Sequence, residues 1–317
     1  MVAGVDIGGS TTKALIVDGT SSLPAIVVPT SLKSPADLGD LALSAVHAAV
    51  ARAGRSIGDL VGIGIGIPGQ VSRGRVRNAA NLGVGEDGFD LQGYVRSATG
   101  LPTSVENDMT MAAFGAFNRL SAIEPGLSNL VYIGWGTGVS AGLVLNRRVF
   151  RGSRSLAGEF GHVPMGTEAL CACGSTGCLE TVIGANALSD AWDGRMTRDL
   201  FSAAASGNSM AQEIVDGAIG YLATAMWWLA AAYDPDYFLI GGGVAVNNPS
   251  SEALVTERWA DMSGRSPLAR RVLDPDRIRI SDLEEPVGAY GAALLAAGAP
   301  GGQGETNPET WEEETRK

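Results

Sequence analysis

The sequence predicts an α/β fold of two lobes with a cleft between them. Residues 2–18 contain a strand, a glycine turn and a second strand, and residues 130–145 repeat the same arrangement. Around these two units, short apolar runs typical of strands alternate with longer stretches whose apolar residues have helical spacing. Two copies of one strand–turn–strand unit in 317 residues predict a duplicated architecture with one copy in each lobe.

Local patterns predict the individual elements. Apolar residues at helical spacing predict a helix over 38–53, which ends at Gly54 because glycine commonly terminates helices. Apolar runs bounded by turn residues predict the strands, and longer periodic stretches predict the remaining helices. The further strands are expected at 25–28, 60–67, 103–106, 237–240 and 277–280, and the further helices at 109–118, over most of 185–233 and at 289–297.

Residues 64–69 match the G-x-G-x-x-G pattern of dinucleotide-binding folds. In those folds the pattern opens a helix. Residues 70–76 instead alternate between polar and apolar side chains, which is typical of a hairpin. The sequence therefore favours a hairpin here over a dinucleotide site.

The element order predicts how the chain divides. We expect an N-terminal α/β lobe over residues 1–108 together with 283–298, and a C-terminal α/β lobe, carrying a zinc loop, over 109–282. Residues 299–317 combine Gly, Pro and Thr with five Glu, a composition that predicts a disordered acidic tail. Deletion of this tail should then leave activity and melting temperature nearly unchanged.

Charge and hydropathy exclude some classes of partner. The 34 acidic and 23 basic residues give a net charge of −11, which argues against nucleic acid as the main partner. Residues 1–3 lack the basic start of a secretory signal, and the most apolar stretch, 214–233, contains Asp216 and two glycines. We therefore expect a cytoplasmic protein with no membrane partner, in which this stretch forms a core helix.

Both glycine turns could hold phosphate groups. The first turn comprises Asp6, Gly8, Gly9, Ser10, Thr11 and Lys13, and the second comprises Gly136, Thr137 and Gly138. Backbone N–H groups and hydroxyls in such turns can bind phosphate oxygens, while a carboxylate helps to hold Mg²⁺. Taken alone, the first turn is equally compatible with a plain hairpin. It is not a P-loop, because that motif needs Gly-Lys-Ser/Thr at the start of a helix and the chain has no Gly-Lys pair.

All three cysteines of the chain, Cys171, Cys173 and Cys178, lie within eight positions, and His162 lies shortly before them. Three thiolates and one imidazole form a closed tetrahedral Zn²⁺ site, which is structural because no position stays open to water. The alternatives are a disulfide with one spare thiol, or buried free thiols. An odd number of cysteines in a cytosolic chain disfavours the disulfide, so we predict a structural zinc.

Asn107 and Asp108 lie where a predicted strand meets a predicted helix. Residues of these types commonly cap the first N–H groups of a helix, and their position alone favours that interpretation. A location near both glycine turns in a two-lobed fold favours a catalytic role instead.

Six motifs occur in a characteristic order along the chain. They are the glycine turn at 6–13, Glu106-Asn107-Asp108, Gly136-Thr137-Gly138, Gly158–His162, Cys171–Glu180 and Gly241-Gly242-Gly243. Together they resemble the ROK (repressor, open reading frame, kinase) sugar kinases of the actin-like ATPase superfamily, from residue 2 to about residue 298. The resemblance implies an actin-like ATPase (ribonuclease H-like) fold with its active site in the interlobe cleft, and a homo-oligomer, either a dimer or a tetramer.

The resemblance also assigns roles to individual residues. It implies that Asp108 is the general base that accepts the proton of the attacking sugar hydroxyl. The residues that would bind the sugar are Asn107, Glu159, His162, Glu180 and Gly69. The residues that would bind ATP and Mg²⁺ are Asp6, Gly8, Gly9, Ser10, Thr11, Lys13, Gly136, Thr137, Gly138, Gly241, Gly242 and Gly243, the last three at the adenosine. His162 would thus connect the zinc site to the sugar.

The function implied is an ATP-dependent sugar kinase that phosphorylates the 6-hydroxyl of a hexose or amino hexose, with glucose as the default. The alternatives are a kinase of a modified sugar or cyclitol, and a non-catalytic ROK sugar sensor or regulator. ROK repressors carry a winged helix-turn-helix before the kinase-like part, whereas the first glycine hairpin of this chain starts at residue 2. Residues 81–86 lack the tryptophan that commonly follows Asn-Leu in the family, which leaves the identity of the sugar open.

Overall fold

Strands and helices alternate along the chain in the computed structural model, which describes residues 1–32, 34–248, 250–283 and 286–302. The strands are β1 (Val2–Ile7), β2 (Thr11–Asp18), β3 (Ser21–Ser22), β4 (Ile26–Pro29), β5 (Gly62–Ile67), β6 (Gln70–Ser72), β7 (Arg75–Arg77), β8 (Phe89–Asp90), β9 (Thr103–Asn107), β10 (Leu130–Trp135), β11 (Val139–Leu145), β12 (Arg148–Val149), β13 (Tyr237–Gly241) and β14 (Ile278–Ile280). The helices are α1 (Asp37–Arg52), α2 (Leu91–Thr99), α3 (Asp108–Ile123), α4 (Glu180–Ile183), α5 (Ala185–Ala191), α6 (Thr197–Ala205), α7 (Ser209–Tyr233), α8 (Gly243–Val246), α9 (Ser250–Ser263), α10 (Pro267–Val272) and α11 (Val287–Ala296).

The chain divides into two compact units. The first unit contains residues 1–126, residues 142–157 and the described residues from Leu283 onward, and the second contains residues 127–141 and 158–282. This division differs from the expected one, which ended the first lobe at residue 108. The reason is that α3 packs on α11 and β5 of the first unit, so the whole helix belongs there. The sequence of α3 contains a glycine that permits this close packing, Gly115, but it does not indicate which element packs there.

The main sheet of the first unit has the strand order β3-β2-β1-β5-β9, with β4 also paired to β2. β1 is antiparallel to β2 and parallel to β5, which is in turn parallel to β9. The carboxyl ends of β1, β5 and β9 therefore meet at one edge of this sheet, where α/β folds commonly bind ligands.

Helix α11 packs unusually close to the first sheet and to α3. Glycines make this possible, since a Cβ on Gly4 of β1 would overlap the carbonyl of Ala289, and one on Gly64 of β5 would overlap the carbonyl of Ala292. A Cβ on Gly115 of α3 would overlap the carbonyl of Val287. The backbone of α11 thus lies directly against three elements, which fixes its position relative to the carboxyl end of β1.

The second unit repeats the strand order of the first. Its sheet runs β12-β11-β10-β13-β14, with β10 parallel to β13 and β13 parallel to β14, and the boundary between the units falls within β11. In both sheets a strand and its hairpin neighbour are followed by two further parallel strands. This common order is the duplication that the two strand–turn–strand units predict.

The segment after the G-x-G-x-x-G match forms a hairpin, as predicted. β6 pairs antiparallel with β7, and β7 pairs antiparallel with β8. No helix follows residue 69 directly, so this segment lacks the helix N-terminus on which a dinucleotide fold places its pyrophosphate.

Within the described ranges, α7 is the one helix that is long and apolar enough to span a membrane by length and composition alone. Half of its most apolar window is buried inside the protein. Leu222, Ala223 and Met226 are fully buried, which is the environment of the core helix that the sequence predicts.

Residues 299–302, which the sequence assigns to a solvated tail, are described and pack on the first unit. The N–H of Val149 donates to the carbonyl of Gly301 (3.0 Å), and the Arg151 guanidinium donates to the carbonyl of Gly302 (2.8 Å). The start of the predicted tail therefore differs from the structure. The rest of that predicted tail, 303–317, lies outside the described residues.

Candidate functional site

The first group of candidate residues lies at the carboxyl edge of the first sheet. Asp6 is in register with Gly66, and Gly66 is in register with Glu106 on the next strand. Asn107 follows as the last residue of β9, and Asp108 begins α3. The sheet register thus places the Asp6 turn and the corner formed by Asn107 and Asp108 at the same edge of the sheet, with the end of β5 between them.

Asp6 is held at the start of α11. A Cβ on Gly288 would lie 2.8 Å from the Asp6 carboxyl carbon, so the helix backbone leaves just enough room for this side chain. Burial raises the pKa of Asp6 to about 6, and the Lys13 ammonium on the paired strand opposes that effect. A partly desolvated carboxylate beside a glycine turn is a chemically suitable partner for a cation.

The turn at Gly8–Thr11 is a tight hairpin in which the N–H of Gly8 donates to the carbonyl of Thr11 (2.9 Å). Gly9 and Ser10 are exposed at its tip. Both sequence interpretations of this turn, a plain hairpin and a phosphate cradle, are compatible with this geometry.

Asn107 is the N-cap of α3. Its side-chain oxygen accepts from the N–H of Thr110 (3.0 Å), and its Nδ2 donates to the carbonyl of Gly69 (3.1 Å). The capping interpretation therefore holds for Asn107. Asp108 is the first helical residue. Its Oδ1 accepts a hydrogen bond from the N–H of Met109 (2.9 Å), and this bond orients the carboxylate. Gly69, a predicted sugar-binding residue, supports Asn107 through its carbonyl.

Sequence reasoning missed a buried ion pair behind this corner. Glu106, whose side chain is 8% exposed, accepts from Nε of Arg151 and, through its other oxygen, from the N–H of Asn107 (2.9 Å). Arg151 lies in the loop after β12, far from β9 in sequence. Glu106 was visible only as part of the Glu-Asn-Asp motif, and no local pattern distinguishes Arg151 from the other arginines.

The second glycine turn lies in the second unit and packs on the helices that follow the cysteine loop. The N–H of Gly136 donates to the carbonyl of Gly138 (3.0 Å), and the carbonyl of Gly136 accepts from the N–H of Ala185 (2.8 Å). A Cβ on Gly138 would lie 2.8 Å from Oε2 of Glu180. The turn containing Thr137 is thus held against α4 and α5, close to a predicted sugar-binding carboxylate.

Gly241, Gly242 and Gly243 end β13 and begin α8. Gly242 has φ +87°, and a Cβ there would lie 2.5 Å from the carbonyl oxygen of Trp135. Backbone packing alone therefore requires glycine at 242. An exposed Gly243 at the start of a helix remains available to a ligand.

His162 and the three cysteines converge in the second unit. Their candidate ligand atoms all lie within 4.8 Å of one another. Nδ1 of His162 is 3.6 Å from Sγ of Cys171, and the Sγ atoms of Cys173 and Cys178 are also 3.6 Å apart. Ligands about 2.3 Å from one tetrahedral ion lie roughly 3.8 Å from each other, so the four donors can surround a single metal ion. All three cysteines are free thiols.

The charge state of two of the cysteines depends on whether a cation is bound. Burial raises the pKa of the Cys171 thiol to about 12, and burial raises the pKa of Cys178 as well. These thiols therefore stay protonated at neutral pH without a metal, whereas a bound metal would stabilise the thiolates.

Two carboxylates surround His162. Oε2 of Glu159 lies 3.7 Å from its Nε2, and Oε1 of Glu180 lies 3.6 Å from its Nδ1. Oε1 of Glu180 also accepts from Sγ of Cys171 (3.1 Å). Burial raises the pKa of Glu159, and the nearby His162 opposes that shift. The predicted sugar-binding residues of this unit are therefore gathered directly beside the cysteine cluster.

The comparisons with known proteins show the family of this chain. The sequence model of the ROK family matches residues 2–299. A glucokinase of Halalkalibacterium halodurans is 31% identical over 324 residues, which cover 92% of this chain and 93% of that protein. A ROK hexokinase structure from Thermus thermophilus is 31% identical with a TM-score of 0.74, covering 93% of this chain and 97% of that chain.

A ROK family glucokinase structure from Streptomyces griseus, in complex with glucose and AMPPNP, is 26% identical with a TM-score of 0.76. The match covers 94% of this chain and 99% of that chain. The actin-like α/β fold predicted from the sequence is confirmed by these structural relatives.

Proposed function

Because this chain belongs to the ROK family and is a sugar kinase, we propose that it transfers the γ-phosphate of ATP to the 6-hydroxyl of a hexose, with glucose as the first candidate. The observation that carries the proposal is the placement of Asp108. Its carboxylate sits at the first turn of α3, anchored by the Asn107 cap, on the sheet edge that also holds Asp6. That edge combines a base with a turn suited to phosphate.

Asp108 would act as the general base. Phosphoryl transfer needs little covalent help from a protein, because the main requirements are alignment of the attacking oxygen and stabilisation of charge. A carboxylate that accepts the proton of the attacking hydroxyl makes that oxygen a better nucleophile. The hydrogen bond from Met109 to Oδ1 fixes the orientation of this group before sugar binds.

The nucleotide would be held by backbone groups. The turns at Gly8–Thr11 and Gly136–Gly138 would bind phosphate oxygens, and Gly241–Gly243 would contact the adenosine. Asp6 and Lys13 would help to place Mg²⁺ and the phosphates, and Mg²⁺ would neutralise charge on the transferred group.

Zinc is the metal that the cysteine cluster fits best. Three thiolates and one imidazole commonly bind structural zinc, and the separations of the donor atoms are compatible with a tetrahedral site. The ion would fix His162, and through it the carboxylates of Glu159 and Glu180. Its contribution would be to position side chains for the sugar.

We expect the purified protein to contain close to one zinc per chain, and Cys173→Ser to lose it together with thermal stability. Structural zinc sites are directly coupled to folding, so the loss should lower the melting temperature clearly. Elemental analysis and melting curves measure both effects. Ser175→Ala is the matched control, because it alters the same loop and keeps all four donors. An active wild type without zinc would exclude this site assignment.

Glu180→Gln should raise KM for the sugar about tenfold or more, since a hydrogen bond from a sugar hydroxyl to a charged group is worth roughly 1.5–3 kcal/mol. KM for ATP should change little. Glu180 is also the first residue of α4, and a helix-end role would predict a small loss of stability with normal sugar kinetics. Glu168→Gln, an exposed carboxylate of the same loop, is the control. An unaltered sugar KM would leave Glu180 as a helix-end residue.

The proposed function is tested by measuring ADP release with a panel of sugars. Glucose, mannose, N-acetylated and 3-amino hexoses and cyclitols should be compared at equal concentration. Turnover of one hexose well above the others supports the proposal and identifies the substrate. Sugar binding without turnover of any acceptor would instead favour a non-catalytic sensor.

A further inference from the structure

A buried ion pair lies directly behind the corner that carries the candidate base. The side chains of Glu106 and Arg151 are only 8% and 10% exposed. One carboxylate oxygen of Glu106 accepts from Nε of Arg151, and the other accepts from the N–H of Asn107 (2.9 Å). The pair therefore holds the peptide that connects Glu106 to Asn107.

The Arg151 guanidinium has a second attachment. Its Nη2 donates to the carbonyl of Gly302 (2.8 Å), beyond the end of α11. Gly302 is buried, and the adjacent Gly301 accepts from the N–H of Val149 (3.0 Å). Residues 299–302, hereafter the C-terminal strap, are thus fixed to the first unit at both Val149 and Arg151.

We propose that Arg151 is a positioning residue for Asp108, and that the C-terminal strap supports Arg151 in this role. The hydrogen bonds run from the Gly302 carbonyl through the guanidinium to Glu106 and on to the N–H of Asn107. Asn107 in turn caps α3, whose first residue is Asp108. This inference rests on the proposed kinase function, because the position of Asp108 matters for turnover only if Asp108 acts as the base.

The geometry of the corner makes such support valuable. Displacing a reacting group by about 1 Å can cost roughly 10²-fold in rate. Asp108 is oriented by a bond from Met109, and Asn107 by bonds to Thr110 and Gly69. All of these depend on the direction in which the backbone leaves β9. The Glu106 carboxylate fixes that direction only while Arg151 holds it.

A purely structural role is the competing explanation. A buried carboxylate needs a cation for its charge, and removing the cation alone destabilises a protein strongly. That role would be met by any buried positive charge. Positioning also requires that one side chain donate to Glu106 and to the carbonyl of Gly302 at the same time. A planar guanidinium has donors in both directions, and a lysine ammonium cannot reproduce this arrangement.

Arg151→Lys in the full chain tests the positioning role while keeping the charge. We expect kcat to fall by about tenfold or more, with KM for ATP within twofold of wild type. Deleting residues 299–317 leaves the Arg151–Glu106 pair intact and removes its outer support, so kcat should fall in the same direction, contrary to the expectation from the sequence alone. Deleting only residues 305–317 is the matched control, and this variant should match the wild type.

The two changes should not act independently. Since both act through the contact between Arg151 and Gly302, the combined variant should lose less activity than the product of the single effects. Amide hydrogen exchange gives a readout that needs no reaction. The N–H groups of Asn107, Met109 and Thr110 should exchange about tenfold faster in both variants, because their acceptors are less well held.

The outcomes separate this inference from the proposed function. If the wild type phosphorylates a sugar while both variants keep kcat and amide exchange within twofold, the positioning role is wrong and the kinase proposal stands. If the wild type is inactive with every sugar, the kinase proposal fails. If amide exchange at Asn107, Met109 and Thr110 is also unchanged in the variants, Arg151 does not position these residues either. If Arg151→Lys does not fold, the deletion of 299–317 decides, because a normal kcat in that variant contradicts the strap's role.

Discussion

Asp108→Asn is expected to lower kcat by about 10²–10⁴-fold, the range typical of a lost general base. The amide keeps the size of the side chain and can still accept the hydrogen bond from Met109, so α3 should begin at the same residue. Sugar affinity should therefore stay within a few-fold of wild type. Steady-state kinetics combined with calorimetric sugar binding measures both quantities.

The control for this variant is Asp90→Asn. Asp90 caps α2 in the same unit through a bond from the N–H of Gly93 (2.9 Å), and asparagine caps helices about as well as aspartate. This change should leave kcat unaltered. An Asp108→Asn enzyme that keeps a third of the wild-type kcat would remove Asp108 from the mechanism.

Gly288→Ala is expected to lower kcat/KM for ATP by roughly 10–10²-fold through displacement of Asp6. The added methyl group would lie 2.8 Å from the carboxyl carbon of Asp6 and 2.9 Å from its Oδ2, so the carboxylate must move away. The free energy of unfolding should not fall together with the activity, because alanine favours a helix over glycine by up to about 1 kcal/mol. Kinetics at varied ATP and Mg²⁺ together with a melting curve tests this pair of effects.

Gly217→Ala is the matched control for that substitution. Gly217 lies on the exposed side of α7, and a Cβ there meets no atom within 4 Å. This variant gains the same helix propensity without approaching Asp6, and its kinetics should equal those of the wild type. Normal ATP kinetics in Gly288→Ala would mean that the position of the Asp6 carboxylate does not matter for turnover.

Local chemistry made much of this protein predictable from its sequence. The strand before the first glycine turn, the hairpin after residue 69 and the start of α3 near Asn107 all follow from short-range patterns, and the structure contains each of them. The cysteine cluster was equally predictable, since its candidate metal ligands are close together in sequence. His162, Cys171, Cys173 and Cys178 need only one folded loop to meet.

Contacts between distant residues were not predictable. α3 belongs to the first unit because Gly115 allows α11 to approach its backbone. A glycine within a helical pattern does not indicate which distant element packs against it. The ion pair of Glu106 and Arg151 joins segments that are far apart in the chain. The Gly-rich composition of residues 299–302 suggested solvent exposure, whereas their small size is what lets them pack beside Phe114 and Leu295.

The backbone contacts of α11 have a consequence for how the protein is made. β1 and β5 leave the ribosome before the second unit does, but the helix that lies against Gly4 and Gly64 leaves after it. The first unit therefore cannot complete its core during most of synthesis, and apolar strands remain uncovered while the entire second unit is translated. Such late closure by a distant segment slows folding and prolongs the aggregation-prone stage. Chaperone dependence of the nascent chain should thus end only after residue 296 has emerged.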